Sequence, residues 1–111
     1  MDKHTRKEFK ARALNEIENL RQEIPRLKEQ LKPVAPDNAI GRLSRMDTIV
    51  NQSVVEVQLG KARTRLLRLE EAVRRAEDDP DFGLCEDCGE PIPLARLMAM
   101  PETALCVHCA E

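Results

Sequence analysis

Residues 81–109 read DFGLCEDCGEPIPLARLMAMPETALCVHC, and this stretch decides how the C-terminal end of the chain folds. Its cysteines follow the pattern C-x2-C-x17-C-x2-C. Two residues between cysteines let both sulfurs of one turn reach the same ion, and the longer insert brings a second such turn to the opposite side of a tetrahedron. Zinc suits four thiolates in this geometry. The pattern therefore predicts one structural zinc ion bound by Cys85, Cys88, Cys106 and Cys109.

The spacing leaves two other uses of these cysteines open, an iron or iron–sulfur site and a pair of disulfides. Residues 1–8 run into charges and contain no signal-peptide hydrophobic region, so we expect a cytoplasmic protein. Thiols are kept reduced in that compartment, which favours a metal over disulfides. Because four sulfurs already satisfy a zinc ion, we expect His108, between the last two cysteines, to be exposed.

A zinc ion with four protein ligands has no open position, which indicates a structural rather than a catalytic site. The chain shows no pairing of a nucleophile with a base, and no pocket is expected in so thin a protein. We therefore expect no enzymatic activity.

Upstream of the cysteines, residues from about Lys3 to Lys32 predict an amphipathic helix. Its apolar residues recur at alternating steps of three and four, which is typical of a coiled-coil seam. The seam consists of Phe9, Ala13, Ile17, Leu20, Ile24, Leu27 and Leu31. Pro25 removes one helical hydrogen bond, and because the apolar phase continues through it we expect a kink rather than a break.

Two prolines and an Asp-Asn pair then predict a turn, which we place at about residues 33–40. A second helix is predicted from Ala39 or Gly41 to about Asp78, and Pro80 ends it. Its main apolar seam consists of Val55, Leu59, Ala62, Leu66, Leu69, Val73 and Ala76.

Two long helices joined by a short loop are predicted to fold back on each other, because neither can bury its apolar stripe alone. A coiled-coil dimer is the alternative, but the short loop favours a hairpin within one chain, and hence a monomer. We predict an all-α fold: a long antiparallel helical hairpin (coiled coil) at residues 1–79 and a small four-cysteine zinc finger at 80–111. Pro93 to Met100 predicts a short helix that closes over the metal or packs on the hairpin base with Phe82 and Leu84.

Charge and composition narrow the classes of function. The net charge is −2, and no segment is long and apolar enough to span a bilayer, so neither bulk attraction to nucleic acid nor a membrane location is expected. The chain has no Trp, no Tyr and only two Phe, so it lacks the aromatic side chains on which bases stack. The second helix nevertheless carries a basic run, which is either a solvated face or a contact surface. It comprises Lys61, Arg63, Arg65, Arg68, Arg74 and Arg75.

The C-terminal motif resembles the zinc finger of the DksA/TraR family of bacterial transcription regulators. The matching positions are Asp81-Phe82-Gly83, Cys85, Cys88-Gly89-Glu90, Ile92, Arg96-Leu97, Ala99, Pro101, Cys106 and Cys109. Residues 41–47 and the predicted hairpin are similar to short members of the family. The resemblance implies a protein that binds RNA polymerase and not a specific DNA sequence, with its coiled coil in the secondary channel and its tip near the active site.

The resemblance also implies functional residues at the hairpin tip. Acidic tip residues act near the catalytic magnesium in this family, and here we take Asp37, Arg45 and Asp47 as candidates for contact with the polymerase. The basic run would then meet acidic rims of the polymerase.

The family binds the alarmone ppGpp through basic side chains at three positions. In this chain those positions are occupied by Leu69, Met100 and Ala110, so we expect weak or no synergy with ppGpp. Two rival hypotheses remain: a redox or metal sensor whose cysteines release zinc on oxidation, and a zinc-ribbon module that binds nucleic acid.

Overall fold

The computed structural model describes residues 1–31 and 42–110, with the backbone alone for residues 42–50. Within these ranges the chain forms α1 (Lys3–Gln30), α2 (Arg42–Asp78), α3 (Leu94–Ala99) and α4 (Val107–Ala110). The only pairing of extended backbone in the described ranges is an isolated bridge between Leu84 and Pro91. The predicted all-α hairpin with a four-cysteine finger is confirmed, while the predicted turn at about 33–40 lies outside the described residues.

The packing face of α1 follows the predicted seam. Six seam positions are buried: Phe9, Ala13, Ile17, Leu20, Ile24 and Leu27. At the start of the helix, the Asp2 carboxylate accepts a hydrogen bond from the Thr5 N–H at 2.7 Å, which satisfies one of the free amides of the first turn. The helix runs unbroken through Pro25, which lies on the exposed face and leaves the buried seam undisturbed.

The packing face of α2 departs from the predicted seam near its end. Leu59, Ala62, Leu69 and Ala76 are buried as expected, with Val55 and Leu66 half-buried against them. Ala72 is also buried, and its neighbour Val73 is only half-buried. Steps of three and of four from Leu69 reach Ala72 and Val73 respectively, so both lie beside the packing face, and the smaller residue is the more deeply buried of the two.

Ion pairs between α1 and α2 show that the two helices run antiparallel. Near the start of α1, Lys10 pairs with Glu77 near the end of α2 at 2.8 Å, and further along Arg21 pairs with Glu70 at 3.6 Å. The molecule measures 61 × 27 × 18 Å. No described helix has an apolar segment able to cross a membrane.

One hydrophobic core extends from the hairpin into residues 80–110, which we call the finger. Phe82, Ile92 and Leu97 of the finger are buried in the same cluster as the helices. The predicted division of the chain into a hairpin at 1–79 and a zinc finger at 80–111 stays a prediction.

Candidate metal centre

The first cysteine pair lies in a tight turn that the backbone holds closed, and we call residues 83–92 the first knuckle. The Cys85 N–H donates to the Glu90 carbonyl at 2.8 Å, the Gly89 N–H donates to the Cys85 carbonyl at 2.9 Å, and the Ile92 N–H donates to the Gly83 carbonyl at 2.8 Å. Gly89 has a φ of 77°, a conformation that residues with a Cβ rarely adopt. This glycine lets the chain reverse so that Cys85 and Cys88 face the same point.

The second cysteine pair is positioned by α4, and we call residues 104–110 the second knuckle. Cys106 precedes the helix and Cys109 lies within it, so helical spacing places both sulfurs on one side. The Ala110 N–H donates to the Cys106 carbonyl at 3.0 Å. The Glu86 N–H donates to the Ala104 carbonyl at 3.0 Å, which joins the two knuckles directly.

The four sulfurs of Cys85, Cys88, Cys106 and Cys109 meet in one cluster, all within 4.8 Å of one another. The Cys88 and Cys106 sulfurs are 3.7 Å apart, far longer than a disulfide bond of about 2.05 Å, and all four cysteines are free. A zinc ion with Zn–S bonds of about 2.3 Å requires a tetrahedral S···S distance of about 3.8 Å. The donor set therefore fits one structural zinc ion.

The electrostatics of the cluster also favour a cation. The backbone N–H groups of Cys88 and Cys106 lower the pKa of the Cys85 thiol to about 6. Hydrogen bonding to the neighbouring sulfurs of Cys106 and Cys85 raises the pKa of Cys109. Four thiolates this close together repel one another, and a bound cation removes that repulsion. His108 is exposed on α4 and does not join the cluster, as expected.

The finger packs on the base of the hairpin through its apolar face. The rings of Phe9 and Phe82 lie 4.8 Å apart between centroids at an angle of 59°. Leu97 on α3 is 1% exposed, and α3 contacts α1. Of the two predicted roles for the short helix, packing on the hairpin base is therefore observed.

Arginines of the hairpin account for most of the polar contacts at this junction, and the sequence interpretation missed two of them. The Arg6 guanidinium on α1 donates to the carbonyls of Ala76 and Asp79, at 3.1 and 2.8 Å, at the end of α2, and lies 5.7 Å from the Phe82 ring centroid. Arg12 donates to the Met98 carbonyl at 3.1 Å. Backbone carbonyls have no sequence signature, so no pattern marks these arginines in advance.

The predicted basic run on α2 divides into two groups. Arg65, Arg74 and Arg75 pair with carboxylates. Lys61, Arg63 and Arg68 are exposed, with no ion pair to any residue that the structure describes. Within the described residues, this second group carries positive charge that no carboxylate of the chain offsets directly.

The remaining candidates for contact with the polymerase are Asp37, Arg45 and Asp47. Asp37 is outside the described residues. Arg45 and Asp47 are on α2, but their side chains are outside the described part of the chain. They remain predictions.

An open groove lies between α2 and the finger, although the sequence predicted no pocket. Its volume is about 750 Å³, and its walls include Arg68, Glu71, Arg96, Met100 and Ala110. No paired nucleophile and base are present among these lining residues.

Comparison with known proteins places these features in one family. The family described as "Prokaryotic dksA/traR C4-type zinc finger" matches residues 80–111. An uncharacterized protein of Aquifex aeolicus is 32% identical over 105 residues, which cover 94% of this chain and 68% of that protein. The RNA polymerase-binding transcription factor DksA of Escherichia coli is 39% identical over 49 residues, which cover 44% of this chain and 32% of DksA. The match thus spans about a third of that relative's length.

The fold comparison extends over nearly the whole molecule. Transcription factor DksA2 from Pseudomonas aeruginosa superimposes with a TM-score of 0.76 over 99% of this chain and 83% of that chain, at 23% sequence identity. At this identity the superposition shows a shared fold. The finger motif and the sequence relatives show the family. The chain belongs to the DksA/TraR family of zinc-finger proteins.

Proposed function

We propose that this chain is a non-catalytic transcription regulator that binds RNA polymerase and inserts its helical hairpin into the secondary channel. The observation that carries the proposal is a rod 61 Å long with a cross-section of 27 × 18 Å and a DksA-type finger packed on its base. A rod of this shape can reach a recessed site that a compact domain of the same mass cannot. The matched relative from Escherichia coli is named as an RNA polymerase-binding factor.

The finger would set the orientation of the rod. We propose Cys85, Cys88, Cys106 and Cys109 as the zinc ligands, on the strength of their clustered sulfurs. The ion supplies a cross-link between the two knuckles and no chemistry of its own. Lys61, Arg63 and Arg68 are then the exposed cations available to acidic segments of the polymerase.

The tip would act on transcription through Asp37, Arg45 and Asp47. Carboxylates brought close to a catalytic magnesium change the local field there, which alters the stability of promoter complexes. Binding energy comes from the rest of the rod, so we propose that affinity and transcriptional effect are separable.

We propose that ppGpp has little influence on this protein. Leu69 is 0% exposed in the hairpin core, where it presents nothing to a ligand. Met100 and Ala110 line the groove between α2 and the finger with uncharged side chains. Strong enhancement of transcriptional inhibition by ppGpp in a purified system would contradict this proposal.

The decisive experiment combines a pull-down with core RNA polymerase and a transcription assay. The intact chain is compared with a variant carrying Asp37→Ala and Asp47→Ala. A matched control carries Glu23→Ala and Glu56→Ala, which remove the same charge at exposed positions of α1 and α2. We expect all three proteins to bind, and only the tip variant to lose its effect on transcription.

Two results would contradict the proposal in different ways. Failure of the intact chain to bind polymerase would remove the proposed partner. If the tip variant and the control had equal effects on transcription, RNA polymerase would still be the partner, but the tip residues would not act on transcription.

A further inference from the structure

Three arginines of the hairpin each contact a different part of the finger, and we call Arg12, Arg65 and Arg75 the arginine tripod. Arg75 Nη1 lies 2.8 Å from Glu86 Oε1 in the first knuckle. Arg12 Nε donates to the Met98 carbonyl in α3 at 3.1 Å. Arg65 Nε lies 3.3 Å from Glu102 Oε1, in the loop that leads to the second knuckle.

The two arginines of α2 are also anchored on the hairpin side. Arg65 Nη2 lies 3.4 Å from Glu16 Oε2 on α1, so one guanidinium connects α1, α2 and the finger. Arg75 Nε lies 3.5 Å from Asp79 Oδ2. Each of these two guanidinium groups therefore has one partner on the hairpin and one on the finger. The hairpin partner already restricts the side chain, so less side-chain entropy is lost when the finger docks.

These contacts are partly shielded from water. The side chains of Arg75 and Glu102 are 14% and 15% exposed, and Glu102 Oε2 is buried without a hydrogen-bond partner among the described residues. Removing Arg65 would therefore leave a shielded carboxylate without its counter-charge, which costs more than breaking an ion pair on an open surface.

The three acceptors belong to finger segments that share no continuous secondary structure. Hydrogen bonds from the Glu86 N–H to Ala104 and from Arg96 to Leu105 link these segments, as do the buried apolar side chains of the finger, and a metal ion held by the four cysteines would add a further link. All three acceptors can meet the tripod together only while the two knuckles are held against each other. Contacts made together in this way act as one multivalent attachment.

We propose that the arginine tripod couples metal binding to docking of the finger on the hairpin. Arg65 and Arg75 act as positioning residues: they hold Glu102 and Glu86, and through them the two knuckles, in the arrangement that brings the four sulfurs together. Energetic coupling is reciprocal, so the tripod raises the affinity of the site for zinc, and zinc strengthens attachment of the finger. Phe9, which is 0% exposed and packs against Phe82 with tilted rings, lies at the junction that docking of the finger covers.

The test compares two double variants of the purified chain with the unchanged chain. One carries Arg65→Ala and Arg75→Ala. The control carries Arg26→Ala and Arg63→Ala, which remove the same charge from exposed positions of the hairpin. Two quantities are measured: the zinc dissociation constant, by competition with a chelator, and amide hydrogen exchange around Phe9 in the zinc-bound protein.

We expect the tripod variant to bind zinc about tenfold more weakly and to exchange the amides around Phe9 faster while zinc is bound. The control should match the unchanged chain in both measurements. Equal zinc affinity and equal exchange in the tripod variant and the control would overturn the proposal.

A single substitution covers the case in which the tripod variant does not fold. Glu102→Gln keeps the shape of the side chain and removes its charge, with Glu23→Gln at an exposed position of α1 as control. A higher zinc dissociation constant for the Glu102 variant alone supports the coupling. An unchanged constant overturns it.

Discussion

Backbone amides set the chemistry of the individual thiols in the metal centre. The N–H groups of Cys88 and Cys106 stabilise the thiolate of Cys85, whose pKa is lowered to about 6 from an ordinary value of 9.0. A thiol with a lowered pKa in the folded state contributes stability above its unfolded pKa, and this contribution is lost as the pH falls through about 6. Protons then compete with the metal for the same sulfurs.

We therefore expect the chain to hold zinc at neutral pH and to release it on acidification, because protons compete with the metal for the four sulfurs. The measurement is a titration with a colorimetric zinc indicator, followed in parallel by circular dichroism. The helical signal should fall less than the zinc content, because the hairpin seam contains no titrating groups. A zinc content that stays unchanged in strong acid would contradict this expectation.

Among single residues, the sequence predicted those whose chemistry depends on spacing. Cys85, Cys88, Cys106 and Cys109 cluster as expected because two C-x-x-C turns have few ways to satisfy four sulfurs. Arg6 was not predictable, since its acceptors are carbonyls that every residue carries. Arg65 and Arg75 belong to the predicted basic run. Their pairing with Glu102 and Glu86 depends on the tertiary structure, which no local sequence pattern encodes.

At the scale of helices, the seam of α1 shows how well the apolar repeat predicts which residues are buried. A repeat of three and four residues identified its buried positions correctly, because the burial of an apolar stripe outweighs local propensity. The same repeat missed Ala72 on α2, because steps of three and of four from Leu69 reach both Ala72 and Val73 and the repeat alone does not decide between them. Periodicity thus predicts a packing face well and its exact edge less well.

Pro25 provides a test at this scale. Its ring leaves the Arg21 carbonyl without the usual helical donor, while its side chain lies on the exposed face of α1. We expect Pro25→Ala to raise the free energy of unfolding by up to about 3 kcal/mol, measured by urea denaturation followed by circular dichroism. Glu23→Ala, an exposed position on the same helix, is the control. A loss of stability would mean that the proline geometry is needed for packing.

At the scale of the whole molecule, the chain is a rod. Its radius of gyration is 19.0 Å, compared with about 13 Å for a compact domain of the same length. The sequence predicted this shape from two long apolar seams and the near absence of aromatic residues. It did not predict the groove between α2 and the finger, because the angle at which two elements meet depends on contacts between distant residues.

We expect a monomer in solution, because the α1 and α2 seams cover each other within one chain. Small-angle X-ray scattering over a concentration series should give a radius of gyration close to 19.0 Å and the mass of one chain. A coiled-coil dimer would double the mass at every concentration. In that case the buried seams would pack between two chains rather than within one.

The pairing of Phe9 with Phe82 has an experimental consequence. These are the only aromatic side chains in the protein, and they touch each other where the hairpin meets the finger. The rest of the molecule is therefore spectroscopically silent in the near ultraviolet. A tryptophan introduced by Phe82→Trp would be the sole fluorophore, and its emission would report on that one junction without interference from any other part of the chain.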